Sequence, residues 1–162
     1  MTGWFRRLMR SRHRLMNGTG RLGLFVDGPN VLRSEFDVDL DDIRTASREI
    51  GHPAITRLYL DEHATPGLIQ AAEARGYEVI ITSGDVDVKL AIDAAESIAS
   101  ETIDILAIAS RDTDFKPLIE LASRRGIETV VITPGYHGRS DAIVNAAHRI
   151  INLEDRLTPQ VD

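Results

Sequence analysis

Short apolar runs alternate with longer amphipathic segments along this chain, and that alternation restricts the fold more than any other feature. The apolar runs lie at 22–26, 55–60, 77–82, 103–109 and 129–133, with a last short one around Ile150. Each is bounded by turn residues and has the length of a strand rather than a helix. Parallel strands need crossover connections, which the amphipathic segments supply. The sequence therefore predicts an α/β fold, a three-layer αβα sandwich around a mainly parallel central sheet.

Residues that cap or end helices mark the boundaries of the amphipathic segments. Asp39 is a predicted N-cap, and Thr65 precedes a proline in the favoured cap-then-proline order. Gly51, Gly76 and Gly126 each follow a segment where a helix is expected to end. These signals place helices between successive strands, as the crossover arrangement requires.

Composition excludes several classes of protein. The 162 residues are 43% hydrophobic and 27% charged, which fits one domain with an ordinary core. The chain has no cysteine, so disulfides, thiolate metal sites and cysteine nucleophiles are excluded, and any metal must use oxygen or imidazole ligands. No apolar run approaches the length of a membrane span, and the N-terminus lacks a signal-peptide core. We expect a cytoplasmic protein without a membrane span.

Charge is distributed very unevenly along the chain. Residues 1–21 contain six arginines and no acid, so the remaining 13 basic and 25 acidic residues give the rest a formal net charge of −12. An acidic body does not attract nucleic acid, so contact with it must come from the arginines or from metal-neutralised carboxylates. We predict a flexible basic tail over 1–20, either solvated or contacting RNA, a domain over 21–154 and a C-terminal tail over 155–162. The sequence is also compatible with a homo-oligomer.

Several acids are expected at one edge of the sheet. Asp27 ends the first predicted strand, and Asp112 and Asp114 follow the fourth. Ligands in open parallel sheets bind beyond the carboxyl ends of the strands. Asp93 interrupts an apolar stretch of the preceding helix, where an unpaired acid would be costly. Asp87 lies six residues earlier and so faces a different direction from Asp93 on the helix. We therefore expect Asp93 in the site and Asp87 nearer the rim.

Each of these acids also has a purely structural interpretation. Asp27 can be a turn former, Asp112 or Asp114 a helix N-cap, and Asp93 the i+4 ion-pair partner of Lys89. Gathered at one edge, however, the carboxylates repel one another, and a hard divalent cation relieves that repulsion. Mg²⁺ or Mn²⁺ suits such ligands, neutralises phosphate and activates water for hydrolysis.

The chain contains three motifs in this order: D-G-P-N at 27–30, D-V-D-V-K-L-A-I-D at 85–93 and S-R-D-T-D-F at 110–115. Together they resemble the motifs of the NYN domain family of PIN-like ribonucleases, and the resemblance extends over about 21–154. It implies a PIN-like, Rossmann-like fold and an RNA substrate. The resemblance also implies that Asp27, Asp93 and Asp112 bind the metal. Asp114 and Asp87 match further acidic positions of the family pattern.

The third motif departs from the pattern of the resembled family. Members often have small residues where this chain has Arg111 and Thr113. Arg111 can either clamp a phosphate, as a bidentate and permanently charged group, or occlude the site. Asn30 matches the asparagine of the first motif, which would orient Asp27 or contact the scissile phosphate.

The function that this reading favours is a metal-dependent endoribonuclease. Its predicted catalytic acids are Asp27, Asp93, Asp112 and Asp114, supported by Asp87, with Mg²⁺ or Mn²⁺ as cofactor. Its predicted phosphate-contacting residues are Asn30, Ser110, Arg111 and Lys89. One alternative is a catalytically weak or inactive RNA-binding or regulatory module of the same fold. Another is a phosphoryl enzyme of the receiver or haloacid dehalogenase type, which Pro29 disfavours because the second acid of that signature would stand there.

Overall fold

The computed structural model describes residues 20–33, 38–136 and 140–157. Most of the predicted basic tail (1–19) and the end of the predicted C-terminal tail (158–162) lie outside the described residues. So do residues 34–37 and 137–139, the latter from the predicted loop after the fifth strand. The described strands are β1 (Arg21–Asp27), β2 (His52–Asp61), β3 (Glu78–Thr82), β4 (Ile105–Ala109), β5 (Glu128–Thr133) and β6 (Arg149–Asn152).

The described helices occupy the connections between these strands. They are α1 (Gly28–Val31), α2 (Leu40–Ile50), α3 (Pro66–Ala74), α4 (Val86–Ala99), α5 (Lys116–Arg124), α6 (Asp141–Ala146) and α7 (Glu154–Leu157). A 3₁₀ turn at Thr113–Phe115 leads into α5. Among these described residues, no helix is long and apolar enough to cross a membrane.

The capping residues act as the sequence predicts. The Asp39 side chain accepts hydrogen bonds from the backbone N–H groups of Asp41 and Asp42, and the Asp42 side chain accepts one from the Asp39 N–H, which completes a capping box. The Thr65 hydroxyl accepts from the Leu68 N–H at 3.2 Å. Local sequence therefore determines where α2 and α3 begin.

Three segments differ from the sequence prediction. Strand β2 begins at His52, before the predicted 55–60, because His52 and Pro53 also pair with β1; an irregularity between Leu22 and Gly23 leaves only Ala54 of this stretch without a partner in β1. The predicted turn after β1 is the single helical turn α1. Part of the predicted C-terminal tail belongs to α7, where Arg156 forms two hydrogen bonds with Glu49 at 2.6 and 2.8 Å.

All six strands are parallel, in the order β3-β2-β1-β4-β5-β6. The chain proceeds from β1 outward to β3 and then returns to place β4 on the other side of β1. The carboxyl ends of β1 and β4 therefore flank the switch point of the topology, which is the crevice where ligands bind in sheets of this kind.

The core has two halves, one on each face of the sheet. In β1, Leu22, Leu24 and Val26 pack with the face covered by α2 and α3, whereas Phe25 packs with the face covered by α4, α5 and α6. Every residue of β4 is buried, as its continuous apolar sequence predicts for a strand covered on both faces. This packing fixes the strand ends that carry the polar residues.

Gly28 allows the chain to turn closely past β2 immediately after β1. A Cβ atom at this position would lie 2.6 Å from the carbonyl oxygen of Tyr59, a backbone atom that cannot rotate away. We expect Gly28→Ala to lower the free energy of unfolding by about 1–3 kcal/mol, the range for overpacking. Urea unfolding of both proteins measures this difference.

Gly67 in α3 is the matched control, because a Cβ atom there meets no atom within 4 Å. Gly67→Ala should raise the free energy of unfolding by up to about 1 kcal/mol, since alanine favours the helix. Equal effects of the two substitutions would show that steric contact with β2 is not what requires glycine at position 28.

Candidate metal site

A buried hydroxyl group connects the carboxyl ends of β1 and β4. Asp27, the last residue of β1, is 2% exposed, and Ser110, which follows β4, is fully buried. The Ser110 Oγ donates a hydrogen bond to Asp27 Oδ2 at 3.1 Å and accepts one from the backbone N–H of Asp112 at 3.1 Å. Asp27 and the start of the loop carrying Asp112 are thus held in one hydrogen-bonded arrangement.

Three further carboxylates converge beside this arrangement. Asp87 lies in the first turn of α4, and Asp112 and Asp114 lie in the turn after β4. One oxygen of each lies within 4.8 Å of the others, so this group could hold a metal ion. Asp112 Oδ1 also accepts from the Asp114 N–H at 2.9 Å, which confirms the N-cap interpretation of Asp112. Capping and metal binding are compatible, because a carboxylate has two oxygens.

Burial and repulsion favour protonation of Asp27 and Asp87. Burial, and after it the negative charge of Asp87, raises the pKa of Asp27 from 3.8 to about 7, against the hydrogen bonds from Ser110 and the Asn30 N–H. Burial also raises the pKa of Asp87, followed by repulsion from Asp112. A hydrogen bond between Asp27 and Asp87 favours protonated Asp27 and ionised Asp87. The group therefore retains a proton where a cation would otherwise balance the charge.

The structure reverses the arrangement that the sequence suggested for the two acids of α4. Asp87, expected nearer the rim, is the member of the carboxylate group, whereas Asp93 is not part of it. Asp93 is 6% exposed; its Oδ2 accepts from the Tyr59 hydroxyl at 2.9 Å and its Oδ1 from Lys89 Nζ at 2.8 Å. The ion pair with Lys89 is the contact that the purely structural interpretation of Asp93 predicts. The Tyr59 hydroxyl is a further hydrogen-bond partner of this acid.

Asp93 connects α4 to the middle of the sheet. Its partner Tyr59 is fully buried in β2, lies opposite Asp27 in the strand register and stacks on Phe25 with ring centroids 6.4 Å apart. Burial and the hydrogen bond to Asp93 both raise the pKa of Tyr59, so its hydroxyl remains a donor. This bond fixes α4 against β2 and thereby the position of Asp87 at the start of the helix.

The predicted phosphate-contacting residues are held in different ways. The buried Ser110 hydroxyl is hydrogen-bonded to Asp27 and to the Asp112 N–H. Lys89 is paired with Asp93, although 46% of its side chain is exposed. Asn30 Oδ1 accepts from the backbone N–H of Arg111 at 2.9 Å and from its Nε at 3.4 Å.

An open cleft surrounds the buried carboxyl of Asp27. Its lining contains three charged residues to which the sequence analysis assigned no role: Arg33, Asp61 and Asp85. Asp61 ends β2 and Asp85 is the N-cap residue of α4, so both occupy the same edge of the sheet as Asp27. The sequence signal that could have identified Asp61 was its position directly after a predicted strand.

Comparisons with known proteins agree with this topology. A model of the NYN domain matches residues 21–154. An uncharacterized protein of Methanocaldococcus jannaschii is 42% identical over 142 residues, which are 86% of this chain and 58% of that protein. The chain thus spans little more than half the length of this relative. The crystal structure of a protein of unknown function from Vibrio parahaemolyticus has a TM-score of 0.71 at 21% identity, covering 86% of this chain and 96% of that one, which shows likeness of fold.

The raised pKa of Asp27 predicts how the stability of the metal-free protein depends on pH. The folded protein keeps this proton between about pH 4 and 7, where the unfolded chain has lost it, because the folded pKa is about 7 and the ordinary value 3.8. The proton therefore stabilises the fold fully below pH 4, and its contribution is lost as pH rises to 7. In EDTA, we expect the free energy of unfolding to fall across this range more steeply in the wild type than in Asp27→Asn.

Urea unfolding at several pH values from 4 to 8 measures both profiles. Some pH dependence should survive in Asp27→Asn, because the pKa of Asp87 is also raised. Parallel profiles for the two proteins would contradict the assignment of the retained proton to Asp27.

Proposed function

The chain belongs to the NYN domain family, and from this premise we propose that it is a metal-dependent endoribonuclease that hydrolyses RNA phosphodiester bonds. The observation that carries the proposal is the convergence of Asp87, Asp112 and Asp114 beside the buried carboxyl of Asp27. Four acids at the switch point of a parallel sheet form a costly arrangement without a cation. The family has a nuclease-like fold, which such a site would serve.

The donors fit a hard divalent cation. Carboxylate oxygens are the ligands that Mg²⁺ and Mn²⁺ prefer, and both ions keep several waters when few protein ligands are available. Three oxygens within 4.8 Å of one another need only small movements to share one ion. We propose Asp87, Asp112 and Asp114 as ligands, with Asp27 joining them when it loses its proton. Asp93, expected from the sequence as a ligand, is proposed instead to hold α4 in place.

A divalent cation bound there would supply Lewis acidity and neutralise the charge of a phosphodiester during hydrolysis. The side chains of the protein prepare the site for it. Ser110 orients Asp27, the Asp112 side chain orders the turn that carries Asp114, and Asp93 sets the position of Asp87.

RNA must approach this acidic cleft against repulsion. Arg33 lines the cleft and Arg111 is bonded to Asn30 of its lining, while the partly exposed Lys89 lies on α4, paired with Asp93. Arginine residues of the N-terminal segment would add attraction from outside the described residues. We propose that these groups contact RNA phosphates while the carboxylates hold the metal.

The second candidate is an RNA-binding module without catalysis. It is favoured by Arg111, which stands where the resembled family often has a small residue and contacts Asn30 beside the acidic cleft. A guanidinium at this place could take the position of the scissile phosphate. Cleavage assays distinguish this candidate from the nuclease.

Metal dependence is the first test of the nuclease. We expect Mn²⁺ or Mg²⁺ to support cleavage of a single-stranded oligoribonucleotide and EDTA to abolish it. Asp112→Asn should lose cleavage while its free energy of unfolding stays unchanged or rises, because asparagine caps equally well and one repelling charge is removed. Glu120→Gln, on the exposed side of α5, is the control for loss of one acid. Cleavage that persists in EDTA would contradict the metal-dependent mechanism.

The two acids of α4 give a matched pair for the ligand assignment. Asp87→Asn removes a proposed ligand. It should weaken Mn²⁺ binding by more than roughly 10–100-fold, which is the loss typical of substituting residues that only support metal ligands. Asp93→Asn keeps an oxygen acceptor for Tyr59 and should stay below about tenfold. Isothermal titration with Mn²⁺ measures both affinities. A larger loss in Asp93→Asn than in Asp87→Asn would return Asp93 to the metal site.

A further inference from the structure

One side-chain oxygen, Oδ1 of Asn30, holds Arg111 at two points. It accepts the Arg111 backbone N–H at 2.9 Å and the guanidinium Nε at 3.4 Å. Asn30 lies in α1, directly after β1, and Arg111 lies in the turn after β4. The contact therefore joins the two strand ends across the switch point, on the side where the cleft opens.

The bond to Nε has a directional consequence. A guanidinium is planar, and bidentate pairing with a phosphate uses two N–H groups that point outward in that plane. The backbone bond fixes where the arginine leaves the chain, and the second bond restricts the side chain that follows. Asn30 thus lowers the conformational entropy that Arg111 would lose on binding an anion.

The negative charge of the cleft is the reason why a restrained Arg111 side chain would favour RNA binding. The cleft lining and the carboxylate group together contain six acids: Asp27, Asp61, Asp85, Asp87, Asp112 and Asp114. One divalent cation does not balance six carboxylates, so this surface stays negative and an RNA phosphate still meets repulsion. A cation held in a fixed direction offsets that repulsion better than a mobile one, because no ordering is needed on binding.

We propose that Asn30 is a positioning residue that presents the Arg111 guanidinium to a phosphate of the bound RNA. Asn30 acts through Arg111 and has no contact with the substrate of its own. The inference rests on the proposed function for the identity of the ligand as RNA. This inference concerns RNA binding, whereas the role proposed for the carboxylates concerns hydrolysis.

A double-mutant cycle tests the coupling between the two residues. The probe is a fluorescently labelled single-stranded oligoribonucleotide, titrated by anisotropy in Ca²⁺, with cleavage in Mn²⁺ measured separately. Arg111→Ala should weaken binding about tenfold, as loss of a charge-assisted hydrogen bond does. Asn30→Ala should weaken it about threefold, and the double variant should be no weaker than Arg111→Ala, since Asn30 has no arginine left to position.

Two further variants separate positioning from a merely structural role. Asn30→Asp keeps an oxygen acceptor for both N–H groups but adds a charge that pairs with Arg111, so RNA binding should weaken at least as much as in Asn30→Ala while thermal stability is retained. Arg111→Lys keeps the charge without the planar group and should fall between wild type and Arg111→Ala. Arg125→Ala, at the exposed end of α5, is the control for loss of one positive charge and should bind as wild type.

Several outcomes would overturn the inference. Additive losses in the double variant would show that Asn30 does not act through Arg111. Tighter binding or faster cleavage by Arg111→Ala would show that the arginine occludes the site. If the wild type binds the probe without cutting it, the nuclease proposal fails and the cycle still decides the inference; if it binds no RNA, both fail.

Discussion

The hydrogen bonds of the Ser110 hydroxyl are the interaction on which the candidate site depends. This buried group donates to Asp27 and accepts from the Asp112 N–H, so it joins the ends of two adjacent parallel strands. Without it, the carboxyl of Asp27 would be buried with one partner fewer, and the loop after β4 would lose a fixed point. The other acids take their positions relative to this bridge.

Electrostatic repulsion within the acidic group is balanced in several ways. Asp27 retains a proton to about pH 7, and Asp112 directs one oxygen to the Asp114 backbone. Asp93 is separated from the group; Lys89 balances its charge and the Tyr59 hydroxyl donates a hydrogen bond to it. The two buried acids thus differ, because Asp93 has a cationic partner whereas Asp27 lies beside other acids whose charge a cation could balance.

The packing of α4 on the sheet determines where the first turn of this helix lies in the site. Its apolar residues pack on the face that contains Phe25 and Tyr59, and its single buried acid bonds to that tyrosine. Asp87 therefore depends for its position on contacts made more than one helical turn away. Such dependence is expected where ligands must be held rigidly by residues that do not themselves touch the metal.

The sequence by itself determined the α/β alternation, the helix starts at Asp39 and Thr65 and the placement of Asp27, Asp112 and Asp114 at strand ends, because these follow from local periodicity and capping. It did not determine which acid of α4 faces the site. Helical spacing shows that Asp87 and Asp93 point in different directions, but the rotation of the helix about its axis is set by packing on β2. The Asn30–Arg111 contact also required the tertiary structure, since 81 residues separate its partners and only the return of β4 to β1 brings them together.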